Sequence, residues 1–165
     1  MLIPHPFGWG IFCEFLKQSG EDMQNIFIEL STEKELLPLF EIYKDCMYLP
    51  TKEKYKEKVQ HWLQDRSIRI FSSVSDGEIK GLLILQLQSE TNAEIIGLSV
   101  EEGCRKQGHG TFLIEKIQEH FPKLKLAAET DGDAVGFYSK TGFKITEIQK
   151  NYGGEMVIRY LCAKK

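Results

Sequence analysis

Hydrophobic and polar residues along the chain follow two periods, one typical of β-strands and one typical of α-helices. Seven apolar or alternating runs predict strands, over residues 25–30, 68–75, 79–88, 93–100, 124–129, 143–149 and 156–162. Asp76 and Gly77, between the second and third runs, are a strong hairpin signal. The Asn-Tyr-Gly-Gly sequence at residues 151–154 predicts another turn, between the last two strands.

Helical periodicity follows the first predicted strand. Thr32 with Glu35 three residues later forms a capping-box pattern, which marks the start of a helix. We expect Pro38 to kink or restart this helix. Its predicted apolar face consists of Leu36, Phe40, Tyr43 and Met47.

Three further helices are predicted. One follows Pro50 and Thr51 and covers residues 52–65, with apolar positions at Tyr55, Val59, Trp62 and Leu63. The next begins near Gly110 and is ended by Pro122. Its apolar face consists of Leu113, Ile114, Ile117 and Phe121. The last is short and covers about residues 133–140.

The order of these elements predicts the fold class α/β. Hairpins come first and a strand-helix-strand unit follows, which indicates a mixed, mostly antiparallel sheet of about seven strands with helices on both faces. A length of 165 residues fits one domain. Residues 1–22 differ in composition, and we interpret them as an N-terminal extension of unknown role to a single domain at residues 23–165. An aromatic lid or a dimer arm is the alternative interpretation of the extension.

Charge limits the classes of function. The chain has 21 basic and 24 acidic side chains and a formal net charge of −3. A general nucleic-acid or anionic-membrane binder would carry clustered excess lysine and arginine, so neither partner is expected. The longest apolar run is too short to span a bilayer, and the first residues lack the charge layout of a secretory signal. We therefore expect a cytoplasmic protein.

The cysteines indicate neither disulfides nor a metal site. They lie far apart and lack metal-ligand spacing, so buried or idle cytosolic thiols are the default interpretation. No metal is expected. The four residues are Cys13, Cys46, Cys104 and Cys162.

The turn after the strand at residues 93–100 carries the main chemical signal. Two cations, Arg105 and Lys106, precede two glycines where a helix begins. Unpaired backbone N–H groups and the positive end of the helix dipole favour an anion there. Gly108 and Gly110 lack the Cβ atoms that would hold a pyrophosphate away from the backbone. The spacing matches neither the dinucleotide-binding fingerprint nor the P-loop, and an ordinary loop is the alternative.

Two blocks of residues carry a family resemblance. The first is the strand at residues 93–100 followed by Arg105-x-x-Gly108-x-Gly110, and the second is Ala134-x-x-x-Tyr138-x-x-x-Gly142-Phe143. In order and spacing they resemble the GNAT superfamily of acyl-CoA-dependent N-acyltransferases. The resemblance extends from Met23 to the end of the chain. It implies that residues 23–165 form one N-acetyltransferase domain, with a splay between strands 4 and 5 that admits the pantetheine arm of acetyl-CoA.

The resemblance also implies where acetyl-CoA, the cosubstrate, would bind. Backbone groups at the end of the fourth strand would meet the pantetheine, and the following loop would cradle the pyrophosphate. Core packing of the strand residues is compatible with this, because the contact would be made by the main chain. The implied cofactor-binding residues are Leu98, Ser99, Val100, Arg105, Lys106, Gln107, Gly108, His109, Gly110 and Thr111.

Acetyl transfer to an amine needs a base, an oxyanion donor and a proton donor for the departing thiolate. Tyr138 is the candidate donor, because the resemblance places this tyrosine near the CoA sulfur; simple packing against the sheet is the alternative. Glu94 is the candidate base, and strand alternation is expected to place it on one face with Ile96 and Leu98. Its position resembles a catalytic glutamate of the histone-acetylating branch. An exposed bystander, with ordered water acting as the base, is the alternative.

The sequence thus predicts acetyl-CoA-dependent transfer of acetyl to a primary amine, by direct attack in a ternary complex. The acceptor cannot be identified from these residues, and a small-molecule amine is favoured. A protein lysine or N-terminal acetyltransferase and a non-catalytic acyl-CoA-binding regulatory domain are the alternatives. Homodimerisation is left open.

Overall fold

A seven-stranded sheet organises residues 25–165, the part of the chain that the computed structural model describes. The extension expected at residues 1–22 lies outside the described residues. The strands are β1 (Ile26–Leu30), β2 (Ile68–Ser75), β3 (Glu78–Leu87), β4 (Asn92–Val100), β5 (Lys125–Thr130), β6 (Lys144–Tyr152) and β7 (Glu155–Lys164). Their order in the sheet is β1-β2-β3-β4-β5-β7-β6.

Among the described strands, only β4 and β5 pair in parallel, and the other neighbours are antiparallel. The predicted mixed, mostly antiparallel sheet is therefore confirmed. The hairpin predicted at Asp76 and Gly77 joins β2 to β3, with φ angles of 55° and 74° that suit a tight two-residue turn.

Five α-helices accompany the sheet in the described residues. They are α1 (Glu33–Leu36), α2 (Phe40–Tyr43), α3 (Lys52–Gln64), α4 (His109–His120) and α5 (Val135–Lys140). The capping box of Thr32 and Glu35 starts α1, as predicted. Pro38 lies in a 3-10 turn, Leu37–Leu39, that separates α1 from α2, so the expected restart is confirmed. A second 3-10 turn, Lys44–Cys46, follows α2.

The helices lie on both faces of the sheet, as predicted. One core packs α1, α2 and α3 against Leu82 and Ile84 of β3. The other packs α4 and α5 against Leu83 and Leu85 of the same strand. We call these sides the α1–α3 face and the α4–α5 face. Leu63, expected on the apolar side of α3, is 38% exposed, so that detail of the prediction is wrong.

The α1–α3 face is covered over part of the sheet. Its helices contact β2, β3 and β4. The β6–β7 hairpin, beyond β5, is exposed along most of its length. None of the helices in residues 25–165 is long and apolar enough to cross a membrane.

Candidate functional site

The sheet opens between β4 and β5. Their pairing runs from Asn92 and Lys125 to Ile95 and Ala128, where it stops. Pairing of β4 with β3 continues to Val100. Over residues 96–100, β4 therefore has an edge without a β5 partner in the described chain, and the splay predicted between strands 4 and 5 is confirmed.

A bulge marks the start of this open edge. Ile84 of β3 faces Gly97 and Leu85 faces Ile95, which leaves Ile96 without an opposite residue. The extra residue reverses the alternation of the strand beyond it. Leu98 consequently packs in the α4–α5 core.

Glu94 lies before the bulge, on the other face. It is opposite Gln86, and its Oε2 accepts a hydrogen bond of 3.1 Å from Gln88 Nε2. The expectation that Glu94 and Leu98 share a face is wrong, because simple alternation does not account for the inserted residue. Glu94 itself is half-buried on the α1–α3 face, beside the start of the splay.

Two side chains of the protein engage carbonyl groups on β4 where the splay lies. Cys46 Sγ donates to the Leu98 carbonyl oxygen at 3.3 Å, and Arg105 Nε donates to the Val100 carbonyl oxygen at 3.2 Å. The Arg105 guanidinium also forms an ion pair with Asp45. The strand residues expected to meet pantetheine are thus next to the turn that follows α2. Neither Asp45 nor Cys46 has a local sequence signal, since they lie more than 50 residues before these partners.

The side of β4 that faces this turn is tightly packed. Cys46 as a residue is exposed, but desolvation of its thiol against β4 raises the pKa of Cys46, which keeps the thiol protonated and able to donate. Ser99 is 8% exposed, and its Oγ has no hydrogen bond of ordinary geometry within residues 25–165. A Cβ added to Gly97 would lie 2.6 Å from Tyr43 Oη, so the tyrosine ring rests on the strand just after the bulge.

The N-terminus of α4 follows the open edge. Gly108 is its N-cap, with φ 90° and no side-chain hydrogen bond to the first turn. Lys106 also has a positive φ of 63°. Arg105, Lys106 and Gln107 are exposed around this turn, and Gln107 Nε2 donates to the Gly103 carbonyl oxygen at 3.1 Å. Uncapped N–H groups and two cations fit an anion such as a pyrophosphate.

His109 and Gly110 face the interior. The His109 ring is buried, with Nδ1 3.3 Å from Ser73 Oγ, so a phosphate contact at this position would come from the backbone. A Cβ on Gly110 would lie 3.1 Å from the Phe137 ring. The absence of a side chain at Gly110 therefore lets Phe137 of α5 pack closely against α4, and it does not open space above the loop. Thr111 is half-buried in the first turn of α4.

Tyr138 lies across the splay on α5. Its side chain is 6% exposed and packs edge to face with Phe137 and Phe143, at ring separations of 5.3 and 5.2 Å. Burial raises the pKa of Tyr138, and the thiols of Cys162 and Cys46 raise it further. Tyr138 belongs to the core cluster against which Leu98 of β4 packs. Its hydroxyl is protonated at neutral pH and has no hydrogen-bond partner in the described chain.

An ion cluster lies on the other side of the opening. Glu129 of β5 pairs through one carboxylate oxygen with Lys150 of β6 and through the other with Arg159 of β7, at 3.2 Å for Arg159 Nε. Lys150 and, to a smaller extent, Arg159 lower the pKa of Glu129. Sequence reasoning missed this cluster, because its members come from three strands. Residues 25–165 contain no group of three or more His, Cys, Asp or Glu side chains arranged for a metal.

Comparison with known proteins agrees with this architecture. Residues 36–143 match the family model described as "Acetyltransferase (GNAT) family". A search of curated proteins by sequence finds no match.

Solved structures show the same fold. The ribosomal-protein-S18-alanine N-acetyltransferase from Escherichia coli is 18% identical, with a TM-score of 0.63 over 85% of this chain and 92% of that one. NAA60 from Arabidopsis thaliana, solved with acetyl-CoA, is 16% identical, with a TM-score of 0.67 over 86% and 98%. A spermidine N-acetyltransferase chimera that includes the Vibrio cholerae enzyme is 14% identical, with a TM-score of 0.64 over 83% and 93%.

Proposed function

Because the chain belongs to the acetyltransferase (GNAT) family, we propose that it transfers acetyl from acetyl-CoA directly to a primary amine in a ternary complex. The observation that carries the proposal is the open edge of β4, with an uncapped helix N-terminus next to it and with Tyr138 in the core cluster against which Leu98 of that strand packs. In this proposal, the opening would hold the thioester, Tyr138 would be the proton donor and the helix N-terminus would be the anion site.

Acetyl-CoA fits the residues around this opening. The first turn of α4, with Arg105 and Lys106, would hold the pyrophosphate. The backbone from Leu98 to Val100 would meet the pantetheine. In the structure, the carbonyls of Leu98 and Val100 accept hydrogen bonds from Cys46 and Arg105. These two side chains would therefore have to yield to the pantetheine amides if the same carbonyls are used.

The chain's own groups can assist each stage of transfer. Glu94, at the mouth of the splay, would accept the proton of the attacking amine directly or through water. A backbone N–H at the bulge would stabilise the oxyanion. Tyr138 would donate its proton to the departing thiolate, and its phenol is protonated at neutral pH whether or not burial raises its pKa. No acyl-enzyme is required.

We favour a small-molecule amine as the acceptor. A protein acceptor is the second candidate, since the exposed face of β6 and β7 next to the splay leaves room for an extended peptide. The structural neighbours include an enzyme named for a protein alanine and one named for spermidine, so the fold does not choose between these classes.

The test is acetyl-CoA-dependent thiol release with a panel of amines and peptides, with the acetylated product identified by mass spectrometry. We expect one N-acetylated acceptor for each thiol released. Binding of acetyl-CoA without transfer to any acceptor would contradict the proposal and favour a regulatory domain. Catalytic transfer to peptides but to no small amine would assign the protein class instead.

A further inference from the structure

The cluster of Glu129, Lys150 and Arg159 borders the splay. Glu129 comes directly after Ala128, the last residue of β5 that pairs with β4. It is opposite Leu161 of β7, two residues from Arg159 on the same strand. Since alternate residues of a strand share a face, all three charged groups lie on one side of the sheet.

Arg159 has an unused binding edge. Its Nε is bonded to Glu129, and its two terminal nitrogens have no hydrogen-bond partner in the described chain. The side chain is 26% exposed, and Leu161 and Val157 flank it with exposures of 43% and 38%. Lys150 pairs with the second oxygen of Glu129, so each oxygen of the carboxylate already has a cationic partner. A guanidinium held this way presents two parallel donors, the geometry that binds a carboxylate.

The acceptor would approach the splay from the α1–α3 face of the sheet. On the α4–α5 face, Tyr138 and Phe137 pack in the core around the splay. The Glu94 side chain and the ion cluster lie on the opposite side, on either side of the splay. Glu94 is in register with Ala127 of β5 and, through it, with Ala163 of β7, two strand spacings or on the order of 10 Å away. Arg159 lies four residues further along β7, about 13 Å, where β4 and β5 have separated. A carboxyl group and a guanidinium thus face the space where an amine would enter.

We propose that the acceptor is an amine that also carries a carboxylate. The carboxylate binds the free edge of Arg159, and the amine is directed to Glu94 and the thioester. This proposal rests on the proposed function, whose acceptor it specifies. A polyamine is disfavoured, because the acidic group next to Arg159 already has both oxygens paired with cations.

A purely structural role for Arg159, in holding β7 against β5, makes a different prediction. Its loss would then lower stability and affect all acceptors equally. A binding role affects KM for acceptors with a carboxylate and leaves acceptors without one unchanged. The KM and kcat values of matched acceptors therefore separate the two roles.

The experiment uses ω-amino acids from glycine to 6-aminohexanoate, each paired with its carboxamide. Acetyl transfer is measured by thiol release and mass spectrometry, and binding to the protein–CoA complex is measured by calorimetry. For the best chain length we expect a KM at least about tenfold lower for the acid than for the amide. Arg159→Gln should remove this preference with kcat within about threefold, and Arg159→Lys should restore it in part. Lys144→Gln, which removes one charge elsewhere on the β6–β7 hairpin, is the matched control and should keep the preference.

The outcomes are distinguishable. The inference is overturned if acids and amides are acetylated with equal KM, or if the preference for acids persists in Arg159→Gln. Either result leaves the proposed function unaffected. Arg159-dependent binding of the acids, with no transfer to them or to any acceptor of the amine and peptide panel, supports the carboxylate site and overturns the proposed function. If the acids neither bind nor accept acetyl, the inference is overturned, and the proposed function is overturned only if the whole panel also fails.

Discussion

The phenol ring of Tyr43 rests on Gly97, and a Cβ at position 97 would lie 2.6 Å from the tyrosine Oη. Tyr43 packs edge to face against Trp62 at 5.0 Å and lies 5.9 Å from Tyr55. Tyr55 in turn donates its hydroxyl to the Leu36 carbonyl oxygen at 2.8 Å. This aromatic cluster fixes the turn that carries Cys46 against the strand just beyond its bulge.

Replacing Gly97 by alanine should disturb this contact. The added methyl group overlaps the Tyr43 ring, so we expect a loss of about 1–3 kcal/mol in the free energy of unfolding, measured by urea denaturation. Gly103→Ala is the matched control, because a Cβ there would meet nothing within 4 Å. Equal stability of the two variants would show that Tyr43 moves aside without cost.

Removing the Tyr138 hydroxyl should slow the chemical step. Tyr138→Phe keeps the ring packing but loses the proton donor, so we expect kcat to fall about 10²–10⁴-fold, with acetyl-CoA affinity nearly unchanged. Tyr160→Phe, at a half-buried tyrosine packed against the same core, is the control and should retain activity. A Tyr138→Phe enzyme with the turnover of the unmodified protein would remove this residue from the mechanism.

Glu94 can be tested by the pH dependence of kcat/KM. If Glu94 accepts the amine proton, Glu94→Gln should lower kcat/KM and alter the limb of the profile that reports the base. Glu90→Gln, an exposed neighbour in the turn before β4, should leave the profile intact. An unaltered profile in Glu94→Gln would assign the base to ordered water or another group.

His109 should make stability depend on pH. Burial lowers the pKa of His109, Lys80 lowers it further, and Glu101 opposes the shift. The unfolded chain therefore binds a proton near pH 6.5 while the folded protein does not. Stability is fully present above that pH and falls as pH decreases, by up to about 1.4 kcal/mol per unit, until the folded pKa is reached.

Urea denaturation between pH 7.5 and 5.5 measures this effect. His109→Gln should reduce the loss of stability over that range. His120→Gln, on the same helix, should leave the contribution of His109 in place. A pH dependence in His109→Gln equal to that of the unmodified protein would contradict the account.

Local patterns predict most of the fold because each element is specified by nearby residues. Thr32 and Glu35 cap α1, Pro38 interrupts the helix, and Asp76 with Gly77 closes the hairpin. The prediction of the splay came from the family resemblance of two spaced motifs, and hydrophobic periodicity did not indicate it.

The rest of the candidate site depends on contacts between distant residues. Cys46 meets Leu98 across 52 positions, and Glu129 meets Arg159 across 30. The alternation of apolar and polar residues does not reveal the bulge at Ile96. One inserted residue changes the face of every later side chain without changing the composition of the strand. For that reason the expected common face of Glu94 and Leu98 was wrong.

If acetyl-CoA binds as proposed, its pantetheine and thioester lie in the splay beside β4, where Cys46 reports on their presence. Its thiol is bonded to the Leu98 carbonyl that pantetheine is expected to approach. The measurement is the rate of Cys46 alkylation by iodoacetamide, mapped by mass spectrometry, with and without saturating acetyl-CoA. A cysteine-containing reference peptide in the same reaction serves as the control for the activity of the reagent. We expect saturating acetyl-CoA to slow alkylation of Cys46 at least about tenfold, because the pantetheine that takes over the Leu98 carbonyl also covers the thiol. An unchanged rate at Cys46, with acetyl-CoA binding verified by calorimetry, would show that the pantetheine does not lie beside β4.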